Sequence, residues 1–220
     1  MDGNSPQVTS AQSGLHPRLD EIVQRHREHA WRAPLHAPSV AQFGRWLAQH
    51  ERARPLVLDL GCGHGDSSVL LAQRHEDAIV LGIDQSAHRL SRLAPEGFAV
   101  HDRVVLMRAE GATLLRLLAA QALPIERLYL LYPNPWPKPE HLMRRWHGHP
   151  VLPILLANAR GIVLRSNWRI YAEEFARAAA LCGRRGRVVT LPADAELLTP
   201  FERKYAASGH PRHELSIGDA

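Results

Sequence analysis

Cysteine is nearly absent, with only Cys62 and Cys182 in 220 residues. Two cannot build a disulfide framework or a four-thiolate metal site, so both are expected to be free thiols. Long apolar runs are missing too. The best candidate, Val151 to Leu164, is broken by Pro153, Asn158 and Arg160. It falls short of the roughly 20 apolar residues a spanning helix needs, so it reads as buried structure and no membrane partner is expected. Residues 1–14 have neither a basic start nor an apolar stretch, which excludes a secretory signal and leaves a disordered lead-in and a cytoplasmic protein as the expectation. Histidine is abundant at fourteen residues. The histidines (His16, His26, His29, His36 and onward) show no recurring ligand spacing, and no metal is expected. A net charge of +5 and an isoelectric point near 9.8 suit a partner such as RNA as well as an ordinary basic enzyme.

A hydrophobic content of 45% is enough for one sizeable core. Residues 15–220 read as a single domain with an N-terminal helical arm over 15–50. A helix is expected near Leu19 to Ala30, between Pro17 and Pro34, carrying Arg18, Arg25, Arg27 and nearby Arg32. Its charged face reads better as solvated than as a cover over an active site. From there apolar runs alternate with helix-like stretches. The runs Leu56–Leu60, Ile79–Ile83, Val104–Met107, Leu128–Tyr132 and Ile162–Leu164 are interleaved with Ser67–Arg74, Ala112–Ala122 and Tyr171–Cys182. The rhythm predicts an α/β fold with a doubly wound, mostly parallel, seven-stranded sheet. Arg187–Leu191 and His213–Ile217 would be its closing antiparallel strands.

The sharpest local signal is Leu56-Val57-Leu58-Asp59-Leu60-Gly61-Cys62-Gly63-His64-Gly65-Asp66, a strand running into a glycine-rich turn and a helix. Gly61, Gly63 and Gly65 let a ligand lie against main-chain atoms near a helix N-terminus. The G-x-G-x-G spacing differs from the G-x-G-x-x-G of dinucleotide enzymes, which places a NAD enzyme a distant third. An acid at Asp59 is awkward beside a pyrophosphate and suits the charged methionine moiety of S-adenosylmethionine. Asp84 ends the next strand, where a carboxylate can accept from ribose hydroxyls. Glu110 follows the third strand, where methyltransferases commonly read the adenine amino group. The class predicted is that of the class I S-adenosylmethionine-dependent methyltransferases, Rossmann-like in architecture.

After the fourth strand comes Pro133-Asn134-Pro135-Trp136-Pro137-Lys138-Pro139-Glu140-His141-Leu142-Met143-Arg144-Arg145. Its prolines stiffen the loop, so Asn134 and Trp136 are presented at low entropic cost. This stretch resembles the signature P-D-P-W-x-K-x-x-H-x-K-R-R of the tRNA (guanine-N7-)-methyltransferase family. Two later motifs, T-D-W-x-x-Y and T-x-F-E-x-R/K, are matched by Ser166-Asn167-Trp168-Arg169-Ile170-Tyr171 and by Thr199-Pro200-Phe201-Glu202-Arg203-Lys204. The resemblance runs from about residue 56 to 210 and excludes the arm.

It implies that Asp59, Asp84, Glu110 and Asn134 contact the cofactor, and that Lys138, Asn167 and the stretch from Thr199 to Glu202 contact the substrate. Asn134 would be the catalytic residue. Trp136 would stack on a base, Lys138 and His141 would meet RNA, and for Arg144, Arg145, Arg165 and Arg169 contact with RNA phosphates and a merely solvated surface stand as equal alternatives. Core packing is the better expectation for Trp146 and Trp168. Two family aspartates are asparagine here, Asn134 and Asn167, and Met143 replaces a basic residue. The lost charges leave three acceptor readings: guanine N7 of tRNA first, then an exocyclic amine of another purine-like or small-molecule acceptor, then a paralogue that binds RNA or S-adenosylmethionine without turnover.

Overall fold

The structure, a computed structural model, describes residues 5–50 and 52–218. In chain order it contains α1 (Leu19–Glu28), α2 (Ala37–Leu47), β1 (Leu56–Leu60), α3 (Asp66–Arg74), β2 (Ile79–Asp84) and α4 (Ala87–Leu90). Next come β3 (Phe98–His101), β4 (Val104–Arg108), α5 (Gly111–Ala120) and β5 (Ile125–Leu131). After two short 3-10 turns follow α6 (Leu152–Asn158), β6 (Ala159–Ser166), α7 (Arg169–Leu181), β7 (Gly186–Thr190), α8 (Pro200–Ala207) and β8 (His213–Ile217). All seven expected strands are present. The additional one, β3, is antiparallel to β4.

The chain divides into two compact units. One comprises Arg32–Leu130 with Asn158–Arg160; the other comprises Met1–Trp31, Leu131–Ala157 and Gly161–Ala220. They are called here the glycine-loop unit and the proline-loop unit. The expected arm is divided between them, α1 falling in the proline-loop unit and α2 in the glycine-loop unit.

In the glycine-loop unit the strand order is β3-β4-β2-β1-β5, and β4, β2, β1 and β5 are parallel. Every residue of β1 is buried, as a strand covered on both faces requires. Asp59 pairs with Gly82 in register, and Asp84 with Arg108. Asp59, Asp84 and Glu110 therefore come at the carboxyl ends of three adjacent parallel strands, the edge where open α/β sheets bind ligands.

In the proline-loop unit β8 runs antiparallel to both β6 and β7, with Leu164 opposite Leu215 and Val188 also opposite Leu215. Tyr171, Phe175, Ala178 and Ala179 form the buried stripe of α7, and Leu19, Ile22 and Val23 that of α1. Of the lead-in expected over 1–14, residues 1–4 lie outside the described residues. Residues 5–14 form no helix or strand, yet Ser10 and Gln12 make hydrogen bonds to Pro137 and Glu174.

Candidate functional site

The glycine loop leaves β1 in the left-handed region: φ is +86° at Gly61, +60° at Gly63 and +87° at Gly65, conformations that only glycine adopts without strain. A Cβ on Gly61 or Gly63 would meet nothing within 4 Å, so the loop keeps an open side. The amides of Gly61 and Cys62 both donate to the Ile83 carbonyl, at 2.8 and 2.9 Å, and Gly63 N–H donates to Asp84 Oδ2 at 3.1 Å. Asp84 Oδ1 accepts from Ser86 N–H at 2.8 Å and retains a second lone pair for a hydroxyl donor. The loop and the aspartate expected to hold a ribose thus share one hydrogen-bonded assembly.

Asp59 is placed differently from a surface contact. It is 1% exposed and accepts from the hydroxyls of Ser67 at 2.6 Å and Ser68 at 2.7 Å. Burial raises its pKa to about 6; the two hydroxyls pull it back and the charge of Asp84 pushes it further up. Asp59 ties the first turn of α3 to β1 and so supports the loop from within. Glu110 is half-buried and caps α5, accepting from the amides of Ala112 at 3.2 Å and Thr113 at 2.7 Å. Its own N–H donates to Ser39 Oγ at 2.8 Å.

In the proline-loop unit Asn134 is exposed and its Oδ1 accepts from Trp136 N–H at 3.3 Å, a side-chain turn typical of asparagine. Trp136 itself has φ +43°, a strained value for a bulky residue. Arg144 places its guanidinium 4.8 Å from the centroid of the Trp136 ring, and His141 meets that ring edge-on at 5.5 Å. Trp136, His141 and Arg144 are therefore brought together, and Lys138 lies exposed in the same loop. Asn167 belongs to another cluster, its Nδ2 lying 3.5 Å from His210 Nδ1. The His210 ring stacks on Tyr205, which in turn sits 5.2 Å from Tyr132.

Four expected surface contacts are interior groups. Arg145 is fully buried, ion-paired with Glu174 at 2.6 Å and stacked 4.9 Å from the Trp168 ring, so it has no face to offer a phosphate. Arg165, 6% exposed, is held by Glu202 at 2.9 Å and Glu214 at 2.8 Å. Glu202 is itself fully buried, and its second oxygen accepts from Leu198 N–H at 2.8 Å. Thr199 caps α8 through Glu202 N–H at 2.9 Å. The Thr199-x-x-Glu202 spacing, expected from the family motif to meet the substrate, is also that of a helix-start motif and closes the first turn of α8.

A family model described as "Putative methyltransferase" matches residues 53–214, about three quarters of the chain. The chain belongs to this methyltransferase family. Among curated proteins the methyltransferase is similar to the tRNA (guanine-N(7)-)-methyltransferase of Treponema pallidum, 30% identical over 73% of this chain and 66% of that protein. The chain thus spans just under two thirds of that relative's length. The enzyme of the same name from Halorhodospira halophila is 29% identical over 74% of each chain. Among solved structures, the 16S rRNA methyltransferase KamB superposes with a TM-score of 0.56 at 18% identity, covering 86% of this chain and 97% of that one. An antibiotic-related methyltransferase gives 0.53 at 15% identity, covering 85% and 95%. The fold is that of the class I S-adenosylmethionine-dependent methyltransferases, as the strand rhythm predicts.

Sequence reasoning missed several residues on which this methyltransferase's loops depend. Ser67 and Ser68 hold Asp59, and Gly82 is the reason Ser68 can approach, since a Cβ there would lie 2.3 Å from the Ser68 hydroxyl. A lone glycine inside an apolar strand was the available signal. Glu174 was legible as a charge on the otherwise apolar stripe of α7. Burial pushes its carboxyl up, but the hydrogen bond and charge of His147 and the charge of Arg145 outweigh this and hold it at about 2. Cys62 and Cys182 are free, and burial raises the thiol pKa of Cys62 well above its ordinary value. Among the described residues no cluster of three metal-ligating side chains occurs, and no helix is long and apolar enough to cross a membrane.

Proposed function

We propose that this methyltransferase forms N7-methylguanine in tRNA from S-adenosylmethionine, in the cytoplasm, with residues 15–220 acting as one catalytic domain. The observation that carries the cofactor reading is the open side of the loop at Gly61 and Gly63, bonded to Asp84 at the carboxyl edge of parallel strands. The acceptor reading draws on the names of the relatives. S-adenosylmethionine, when bound, supplies an electrophilic methyl group on a sulfonium. Asp84 accepts from the ribose hydroxyls, Gly61, Gly63 and Gly65 give main-chain room, and Glu110 addresses the adenine amine from the start of α5. Asp59 keeps the loop in shape and adds negative charge that favours a cationic ligand.

Guanine N7 already carries a lone pair, so no side chain has to remove a proton before methyl transfer. What remains for the protein is positioning the base and stabilising the cationic purine that results. Asn134 can donate to guanine O6 or accept from its N1–H. The Trp136 face already receives the guanidinium of Arg144, and a positively charged methylated purine suits the same face. Lys138, His141 and Arg144 hold phosphate, which gives affinity without sequence choice. Asn167 steadies the acceptor from its position beside His210. Neither asparagine supplies the full charge of the family's aspartate, so the reading expects turnover by positioning with weaker charge stabilisation.

The test is incubation with methyl-labelled S-adenosylmethionine and tRNA lacking 7-methylguanosine, followed by digestion and mass spectrometry of the nucleosides. Labelled 7-methylguanosine is expected. Label on an exocyclic amine, or no label in RNA, overturns the reading.

A further inference from the structure

Three consecutive carbonyls of the proline loop are held by side chains of the same unit. Trp136 C=O accepts from Arg145 Nε at 3.2 Å and Lys138 C=O from Arg145 Nη2 at 3.3 Å. Between them, Pro137 C=O accepts from Ser10 Oγ. Arg145 is fixed in turn: its Nη1 donates to Glu174 Oε2 at 2.6 Å and to Gln12 Oε1 at 3.1 Å. The other oxygen of Glu174 accepts from Gln12 Nε2 at 2.6 Å and from His16 N–H at 2.8 Å. His147 Nε2 completes the carboxylate's shell at 2.9 Å. Gln12 thus bonds both members of a fully buried ion pair, while Ser10 reaches the loop directly.

A buried ion pair is stable only when its remaining donors and lone pairs are satisfied, and the amide of Gln12 offers one acceptor and one donor for that purpose. The loop needs the support because Trp136 holds φ +43°, a backbone state that persists only where the surroundings enforce it. We propose that Ser10 to His16 is a strap that sets the conformation of the proline loop, with Ser10 and Gln12 as positioning residues for Trp136 and Lys138. The functional consequence rests on reading that loop as the acceptor site. The strap itself does not.

The test uses the full-length protein carrying Ser10→Ala with Gln12→Ala, which leaves the Arg145–Glu174 pair in place. Hydrogen exchange is followed in peptides covering residues 133–145 and 56–66, alongside kcat/KM for tRNA and KM for S-adenosylmethionine. Exchange is expected to rise about tenfold over 133–145, equivalent to about 1.4 kcal/mol of easier opening, with none over 56–66. kcat/KM for tRNA falls about tenfold while KM for S-adenosylmethionine holds, and Ser10→Thr, which keeps the hydroxyl, behaves as wild type. Unchanged exchange over 133–145, or an equal rise in both peptides, overturns the strap. A local rise in a protein that methylates no tRNA supports the strap and removes only the reading of its loop.

Discussion

Asp59 and Glu174 are both carboxylates closed off from solvent, yet their acidities move in opposite directions. Burial pushes both up. Asp59 has only hydroxyl partners and a neighbouring acid, and rises to about 6; Glu174 has His147 and Arg145 against it, and falls to about 2. The contrast extends to the whole of each unit. The buried arginines Arg145, Arg165 and Arg212 all lie in the proline-loop unit beside Glu174 and Glu202, whereas the buried charges of the glycine-loop unit are Asp59 and Asp84, with no buried Lys or Arg among its described residues. One region neutralises itself with its own side chains. The other sets only the half-exposed Arg89 against Asp84, at 3.4 Å, and no cation against Asp59, which suits a positively charged cofactor.

The comparison is broken most severely at Glu174. Glu174→Ala leaves Arg145 charged and buried without its partner, and a loss of about 3–5 kcal/mol is expected in denaturant unfolding. The acid side follows from the same pair. The folded pKa is depressed from 4.5 to about 2, so the stabilisation is complete above the unfolded value and is lost as pH falls from there toward about 2. In the glycine-loop unit, Gly82→Ala would drive a Cβ to 2.3 Å from the Ser68 hydroxyl and 2.8 Å from a Leu106 methyl. A cost of about 1–3 kcal/mol is expected, read as a lower denaturation midpoint.

Asp59→Asn sharpens the contrast through pH. The folded pKa lies above the ordinary 3.8, so the folded state binds this proton more tightly and wild-type stability should gain as pH falls through about 6, by up to about 3 kcal/mol. The asparagine variant, whose Oδ1 can still accept from Ser67 and Ser68, should lack that slope in unfolding titrations between pH 8 and 4. The smallest effect belongs to Arg144→Ala. Its guanidinium is exposed over Trp136, and the stability change should stay near 0.5–1 kcal/mol.

What the sequence makes legible is local in origin. Apolar runs such as Leu56–Leu60 and the glycine spacing after Asp59 are written into neighbouring residues, and those elements stand where expected. β3 escapes because Phe98 is its only buried residue, too little apolar signal for a strand paired to β4 on one side. Roles that depend on distant partners are illegible for a different reason. Arg145 reads as a phosphate contact until Glu174, 29 positions away, is found against it. Polar residues near the N-terminus look disordered by composition, although Gln12 bonds to a residue 162 positions on. Thr199 and Glu202 show the reverse case, a readable helix start that also matches a family motif.

The division of labour between the two loops is tested most directly by calorimetric titration of S-adenosylmethionine into wild type, Asp84→Asn and Trp136→Ala. Binding to wild type is expected, weakened about tenfold or more in Asp84→Asn, as loss of a charged hydrogen-bond acceptor implies, and unchanged in Trp136→Ala. No binding to wild type, or a loss in Trp136→Ala with none in Asp84→Asn, would contradict it.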